Sequence, residues 1–153
     1  MSIEFRPAKL PDDLEALQRL DAQIFADYPG DLFSADDWEH FDSYWMLLDG
    51  RVIGCAAFLA GVDFDFSPRP GCLHIMTTGI LPELRGQGLG KKQKEWQIDY
   101  ARARGFQVIV TNMRKSNQRM IRLNEQLGFQ HRVIDPGYYQ DPPEDAVVME
   151  LRL

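Results

Sequence analysis

The segment Pro82-Glu83-Leu84-Arg85-Gly86-Gln87-Gly88-Leu89-Gly90-Lys91 carries the clearest chemical signal in this 153-residue chain. It stands where an apolar, β-branched run ends and a helical pattern begins. Glycines at such a junction let the backbone turn tightly and let another molecule approach its amides. The first N–H groups of the following helix have no intrahelical partner and carry partial positive charge. A phosphate group suits that place. A Rossmann fingerprint fails, because the third glycine would fall at Lys91. A Walker loop fails as well, since it needs glycine at Arg85 and a hydroxyl at Lys92. Arg/Gln-x-x-Gly-x-Gly/Ala does fit, at Arg85, Gly88 and Gly90. The plain alternative is an ordinary glycine-rich strand-to-helix turn.

A second segment follows at Asn117-Gln118-Arg119-Met120-Ile121-Arg122-Leu123-Asn124-Glu125-Gln126-Leu127-Gly128-Phe129. Asn117 is placed to open a helix as its N-cap, and Gly128 to stop it. Helical spacing aligns Asn124 with Met120, Leu123 and Leu127 on an apolar face. A buried asparagine there needs hydrogen-bond partners.

The elements that position these residues alternate. A strand is expected at Ile3–Arg6. Pro11-Asp12-Asp13 opens a helix carrying Leu14, Leu17, Ile24 and Phe25, and Ser34 with Asp37 opens a second. Tyr44–Leu48, Asp49-Gly50 and Arg51–Ala60 read as a hairpin, since Asp-Gly supplies the positive φ of a tight turn. Residues 64–71 read as a loop and Cys72–Leu81 as a strand. A helix is expected over Gly88–Arg104, with Leu89, Trp96, Tyr100 and Ala103 at helical spacing. A strand follows at Phe106–Thr111, then the helix from Asn117. Strands at Phe129–Ile134 and Ala146–Leu153 are joined by Asp135–Tyr139 and a polar turn. The sum is an α/β domain spanning 1–153, with a mixed, mostly antiparallel sheet flanked by helices.

Composition sets outer limits. With 44% hydrophobic and 26% charged residues, the chain is neither disordered nor collagen-like. A net charge of −6 argues against nucleic acid as a partner. The start of the chain lacks the pattern of a signal peptide. The longest weakly polar stretch, Val52–Val62, is far short of the roughly 20 residues a membrane span needs. A reduced, cytoplasmic setting without a membrane partner is expected. Cys55 and Cys72 show no metal-ligand spacing, and no metal is expected. A Cys55–Cys72 bridge is the extracellular alternative.

Residues 72–129 resemble the core of the GNAT N-acetyltransferase superfamily, which binds acetyl-CoA. The order strand, Arg-x-x-Gly-x-Gly, helix, strand, Asn, helix, Gly-Phe is present throughout, and the flanking elements suit the same fold. The resemblance implies that acetyl-CoA is held by the amides of Gly86, Gln87, Gly88, Leu89 and Gly90, with Arg85 and Lys91 adding positive charge. It implies splayed strands at the cofactor site, with Gly79 and Ile80 pairing the pantetheine arm. A glycine inside a strand is independently a bulge signal. An amide near Ile80 would then face the developing oxyanion. Asn117 matches an asparagine near the CoA arm.

Asn124 stands where many members carry a tyrosine acid, so it is a catalytic and cofactor-side candidate by position only. Tyr138 and Tyr139 are substitute acids, with Tyr138 the leading one. An amine acceptor has a pKa near 10 and must lose a proton before it attacks. Histone-type members use a glutamate where this chain has His74, whose unperturbed pKa suits the task; a packed structural histidine is the competing reading. The tail, with Tyr138-Tyr139 and Glu144-Asp145-Ala146-Val147-Val148-Met149, is similar to ribosomal-protein alanine N-acetyltransferases. That branch's glutamate is replaced here by Asn112.

The implied activity is direct acetyl transfer from acetyl-CoA to a primary amine, on a small molecule or at a peptide N-terminus. The acceptor pocket is expected from residues 25–40, 64–71 and the tail near Tyr138. The alternative from another class is a non-catalytic acyl-CoA-binding module, which the asparagines at 112 and 124 favour; a nucleotide-phosphate binder is a third. Sheet edges leave room for either a monomer or a homodimer. Residues 85–122 hold ten basic and two acidic side chains, net +8. The remainder holds seven basic and 21 acidic, net −14. That polarity fits an anionic cofactor and a cationic acceptor.

Overall fold

A computed structural model describes all of residues 1–153. Its strands are β1 (Ile3–Pro7), β2 (Asp42–Leu48), β3 (Arg51–Val62), β4 (Pro68–Ile80), β5 (Val108–Arg114), β6 (Gln130–Tyr139) and β7 (Glu144–Arg152). The α-helices are α1 (Leu14–Ile24), α2 (Ala35–Glu39), α3 (Leu89–Ala103) and α4 (Gln118–Gln126). The seven strands form a sheet in the order β1-β2-β3-β4-β5-β7-β6. The β1–β2, β2–β3, β5–β7 and β6–β7 ladders are antiparallel. The β4–β5 ladder is parallel and short: Cys72–His74 pair with Val108–Val110, and both strands run on beyond it. No helix is long and apolar enough to cross a membrane.

Two compact units make up the chain. The first comprises Met1–Leu59 and Met76–Gln93. In it, Leu17, Leu20 and Ile24 of α1 recur at helical spacing and bury one face. They pack with Trp38, Cys55, Ala57 and Leu81. A second cluster joins Met46, Ile53, Ile80 and Leu89. Ser34 and Asp37 form the expected capping box of α2. Asp49 and Gly50 both adopt positive φ, as a tight hairpin turn requires.

The second unit comprises Ala60–Ile75 and Lys94–Leu153. Cys72, Val108, Val110 and Val148 form a core cluster there, with Phe64 packed against it. The Asp63 carboxylate receives the Arg132 guanidinium and is 3.3 Å from Arg69 Nη1. Arg69 also pairs with Glu150 at 3.0 Å. These contacts tie the 63–69 turn to β6 and β7.

Two strand boundaries and the buried face of one helix differ from expectation. β4 begins at Pro68, inside the expected loop, because proline is tolerated at the start of a strand. β6 runs through Asp135–Tyr139, which was expected to be a connection. Its register shifts between Asp135 and Tyr139, Gly137 takes φ 66°, and the Gly137 N–H donates to Asp145 Oδ1 at 2.9 Å. A bulge on an edge strand therefore absorbs Pro136 without losing the ladder. On α3 the buried face runs through Leu89, Gln93, Gln97 and Ala101, while Ala103 is exposed. The fourfold spacing includes two glutamines, which hid this face from an apolar count.

Candidate functional site

The glycine loop lies in the first unit, between a single 3₁₀ turn at Pro82–Leu84 and α3. Gly86 and Gly88 have φ of 82° and 79°. A Cβ built at Gly86, Gly88 or Gly90 meets no atom within 4 Å. The loop therefore opens its backbone to the outside, and a side chain would occupy that space. Gln87 and Lys91 are exposed beside it, while Leu89 is buried and anchors the helix start. Amides at a helix N-terminus with clear space in front fit a pyrophosphate. Arg85 Nη2 donates to the Ile24 carbonyl at 2.9 Å, so this guanidinium also braces the loop against the end of α1.

Gly79 lies on β4 just before the loop. A Cβ there would fall 2.5 Å from Ile24 Cγ2, and one at Gly54 would fall 2.4 Å from Gly79 O. Only glycine at both positions permits this close approach of β3, β4 and α1. Gln93, buried on α3, donates through Nε2 to Gly79 O at 3.2 Å and to Cys55 O at 3.0 Å. Its Oε1 accepts from Thr78 Oγ1 at 2.9 Å. Ile80 is buried beside Leu89. Nearby on the same strand, Thr77 Oγ1 donates to Asp21 Oδ1 at 3.2 Å. Burial pushes the Asp21 carboxyl up to about 6, opposed by the Thr77 bond and reinforced by Asp31.

The second unit gathers a different constellation. His74, almost wholly buried, places Nε2 3.3 Å from Asn112 Oδ1. Asn112 Nδ2 donates to the Tyr139 hydroxyl at 2.8 Å. Burial holds the His74 imidazole below its ordinary pKa, against a smaller opposing effect of Asn112. The neutral ring is therefore the prevailing form at neutral pH. Phe66, half exposed, covers His74 with ring centroids 5.6 Å apart. Tyr138 is 41% exposed and packs against Phe64 at 5.2 Å and Tyr139 at 4.9 Å. Arg114 lies over the Tyr139 ring at 4.7 Å and bonds the carbonyls of Pro142 and Gln140.

Of the expected catalytic residues, His74 thus acquires a hydrogen-bonded network. That network includes Tyr139 rather than the leading candidate, Tyr138. Asn124 is 0% exposed, and its Nδ2 points at Met113 Sδ (3.5 Å) and Met149 Sδ (3.9 Å). These contacts favour a packing role for it. Asn117 caps α4 by accepting from the Met120 N–H at 3.3 Å. In the 25–40 segment, Trp38 is spent on the core, with Phe33 edge-on to it at 6.3 Å. Cys55 and Cys72 are unpaired and buried, which removes the bridged alternative.

Gln93 and Lys94 are buried polar residues that no motif in the sequence marks. Lys94 Nζ is buried without a hydrogen-bond partner, 5.2 Å from the centroid of Phe129, and burial pushes its pKa down to about 7. The available signal was two polar residues in the middle of a buried helical stripe.

Comparison with known proteins places this geometry. The profile of the family described as Acetyltransferase (GNAT) family matches residues 11–129. An uncharacterized N-acetyltransferase of Methanocaldococcus jannaschii is 30% identical over 141 residues, covering 90% of this chain and 84% of that protein. The structure of the ribosomal-protein-S18-alanine N-acetyltransferase from Escherichia coli superposes with a TM-score of 0.79 at 23% identity, covering 99% of this chain and 94% of the other. A Bacillus subtilis acetyltransferase in complex with CoA gives 0.77 at 18% identity, covering 99% of each chain. With a family match over most of its length, the chain belongs to the GNAT family of acetyltransferases.

Proposed function

We propose that this protein transfers the acetyl group of acetyl-CoA to a primary amine, on a small molecule or at a peptide N-terminus, by direct attack in a ternary complex. The observation that carries the reading is the open backbone of Gly86, Gly88 and Gly90 at the start of α3. Acetyl-CoA supplies an activated thioester. The amides of Gly86–Gly90 hold its pyrophosphate, with Lys91 adding positive charge. The Ile80 N–H faces the thioester oxygen as negative charge grows there. Asn117 both caps α4 and borders the CoA arm.

The proposed base is His74 of β4. Burial favours the neutral imidazole; with Nε2–H donating to Asn112 Oδ1, the unpartnered Nδ1 holds the lone pair that takes the ammonium proton. Asn112 holds the ring and the Tyr139 hydroxyl in one network. The CoA thiolate is weakly basic and leaves without a dedicated acid, so Asn124 need not donate. Phe64, Phe66 and Tyr138 border the acceptor. The buried, unpaired cysteines suit a reducing cytoplasmic setting.

Titration calorimetry with acetyl-CoA, followed by a free-thiol assay across amines, polyamines and peptides, tests the proposal. Binding with turnover on a primary amine is expected. Binding with no turnover on any acceptor would turn the assignment to a non-catalytic acyl-CoA module. Displacement by ATP but not by CoA would reject the cofactor.

A further inference from the structure

We propose that Gln93 is a positioning residue for acyl transfer: it fixes the peptide plane between Gly79 and Ile80 and thereby aims the Ile80 N–H. The proposal rests on acetyl-CoA binding at the loop that follows β4.

Gln93 is only 2% exposed. A buried side-chain amide is costly unless its donors and acceptor are satisfied. Here each of its polar atoms has a partner. Nε2 reaches two backbone carbonyls, Cys55 O on β3 and Gly79 O on β4, and Oε1 receives the Thr78 hydroxyl. The two carbonyls can only accept, so they fix the NH₂ end of the amide, and the Thr78 hydroxyl donates to the Oε1 that remains. A leucine would fill this position on the helix without needing any of these partners. The amide is spent on one place in the backbone.

That place controls the direction of the next N–H. In a planar trans peptide, the carbonyl of one residue and the N–H of the next point in opposite directions. Gly79 O is held on the side of Gly54 and Gln93, so close to β3 that a Cβ on Gly54 would lie 2.4 Å from it. The Ile80 N–H is therefore aimed away from β3 and from Gln93. One residue further on, the Leu81 N–H donates to Ile53 O at 2.8 Å and pins the following peptide. Without Gln93, the Gly79 peptide is the loose link in this run, because glycine has the widest choice of ψ. A donor that must be reoriented during the reaction loses the advantage of preorganisation, and loss of one such donor typically costs about 10²–10³ in rate.

The test is nuclear magnetic resonance of bound acetyl-CoA labelled with ¹³C at the thioester carbonyl, which needs no acceptor. In the wild type, the carbonyl signal is expected to move downfield from its free position on binding. In Gln93→Leu that displacement should fall by more than half, while the calorimetric Kd for CoA, which has no carbonyl at that place, stays within about twofold. Thr78→Val loosens the amide without touching Gly79 and should give a smaller reduction. It carries the test should Gln93→Leu fail to fold. A full displacement in a folded variant that binds CoA would overturn the proposal, as would no displacement in the wild-type complex. Absence of any CoA binding to the wild type would instead remove the cofactor reading, and this inference with it.

Discussion

The side-chain amide of Asn112 donates to the Tyr139 hydroxyl at 2.8 Å. Its carbonyl oxygen lies 3.3 Å from His74 Nε2, so a side chain that does not titrate links an imidazole to a phenol. His74→Ala should lower the acetylation rate most below about pH 8, where an unassisted amine is scarcely deprotonated. Because burial holds the His74 pKa below 6.5, the wild-type acid limb should fall below that value. Asn112→Asp places a carboxylate beside the imidazole, favours its charged form and should move that limb to higher pH. Profiles of kcat/KM against pH check both; an unchanged profile in His74→Ala would return His74 to a packing role.

Gly88→Glu should abolish CoA binding. Its side chain fills the open space before α3, and its charge repels phosphate. The φ of 79° adds strain of about 1–2 kcal/mol, so Gly88→Asn, which tolerates that conformation, is the folding control. Calorimetry with CoA reads the loss. Unchanged affinity in a folded Gly88→Glu protein would place the cofactor elsewhere.

Lys94→Met should raise the melting temperature at neutral pH. Lys94 titrates near 10.5 when solvated and near 7 in the folded chain. Between those values the unfolded chain binds more protons, so wild-type stability rises with pH across this window and the penalty is complete below it. An unbranched apolar replacement removes up to about 4 kcal/mol of that penalty, less the small attraction of the Phe129 ring. Thermal melts at several pH values should show a flatter slope in the variant.

Asp21→Asn has the opposite window. The folded carboxyl, raised to about 6 from 3.8, binds protons more readily than the unfolded one. Wild-type stability therefore falls as pH rises through that interval, and the cost is complete above it. The asparagine keeps an acceptor for Thr77 and should gain up to about 3 kcal/mol near pH 8, with almost no gain near pH 3. Denaturant melts at the two pH values give the comparison.

Local signals carried much of this molecule. The Ser34–Asp37 capping box, the Asp49-Gly50 turn, the glycine loop and the Asn117 cap are each set by a few neighbouring residues. Asn124 was legible as a buried polar residue from helical spacing alone. Contacts between distant residues were not legible. His74 meets Asn112 across 38 positions, and Asn112 meets Tyr139 across 27. Nothing local to Gln93 announces its three partners, which lie on two strands. Pro136-Gly137 reads locally as a turn, and only pairing with β7 makes it a bulge within β6.

The clamp at Asp63 bears on how such a protein could be re-engineered. Phe64 and Phe66 sit on a turn whose anchor is shared among Arg69, Arg132 and Glu150, residues that come from three separate strands. Grafting the 63–69 turn alone into another scaffold would transplant its aromatic rings without their foundation. A transplant that keeps the rings in place must carry Arg132 and Glu150 along with the loop.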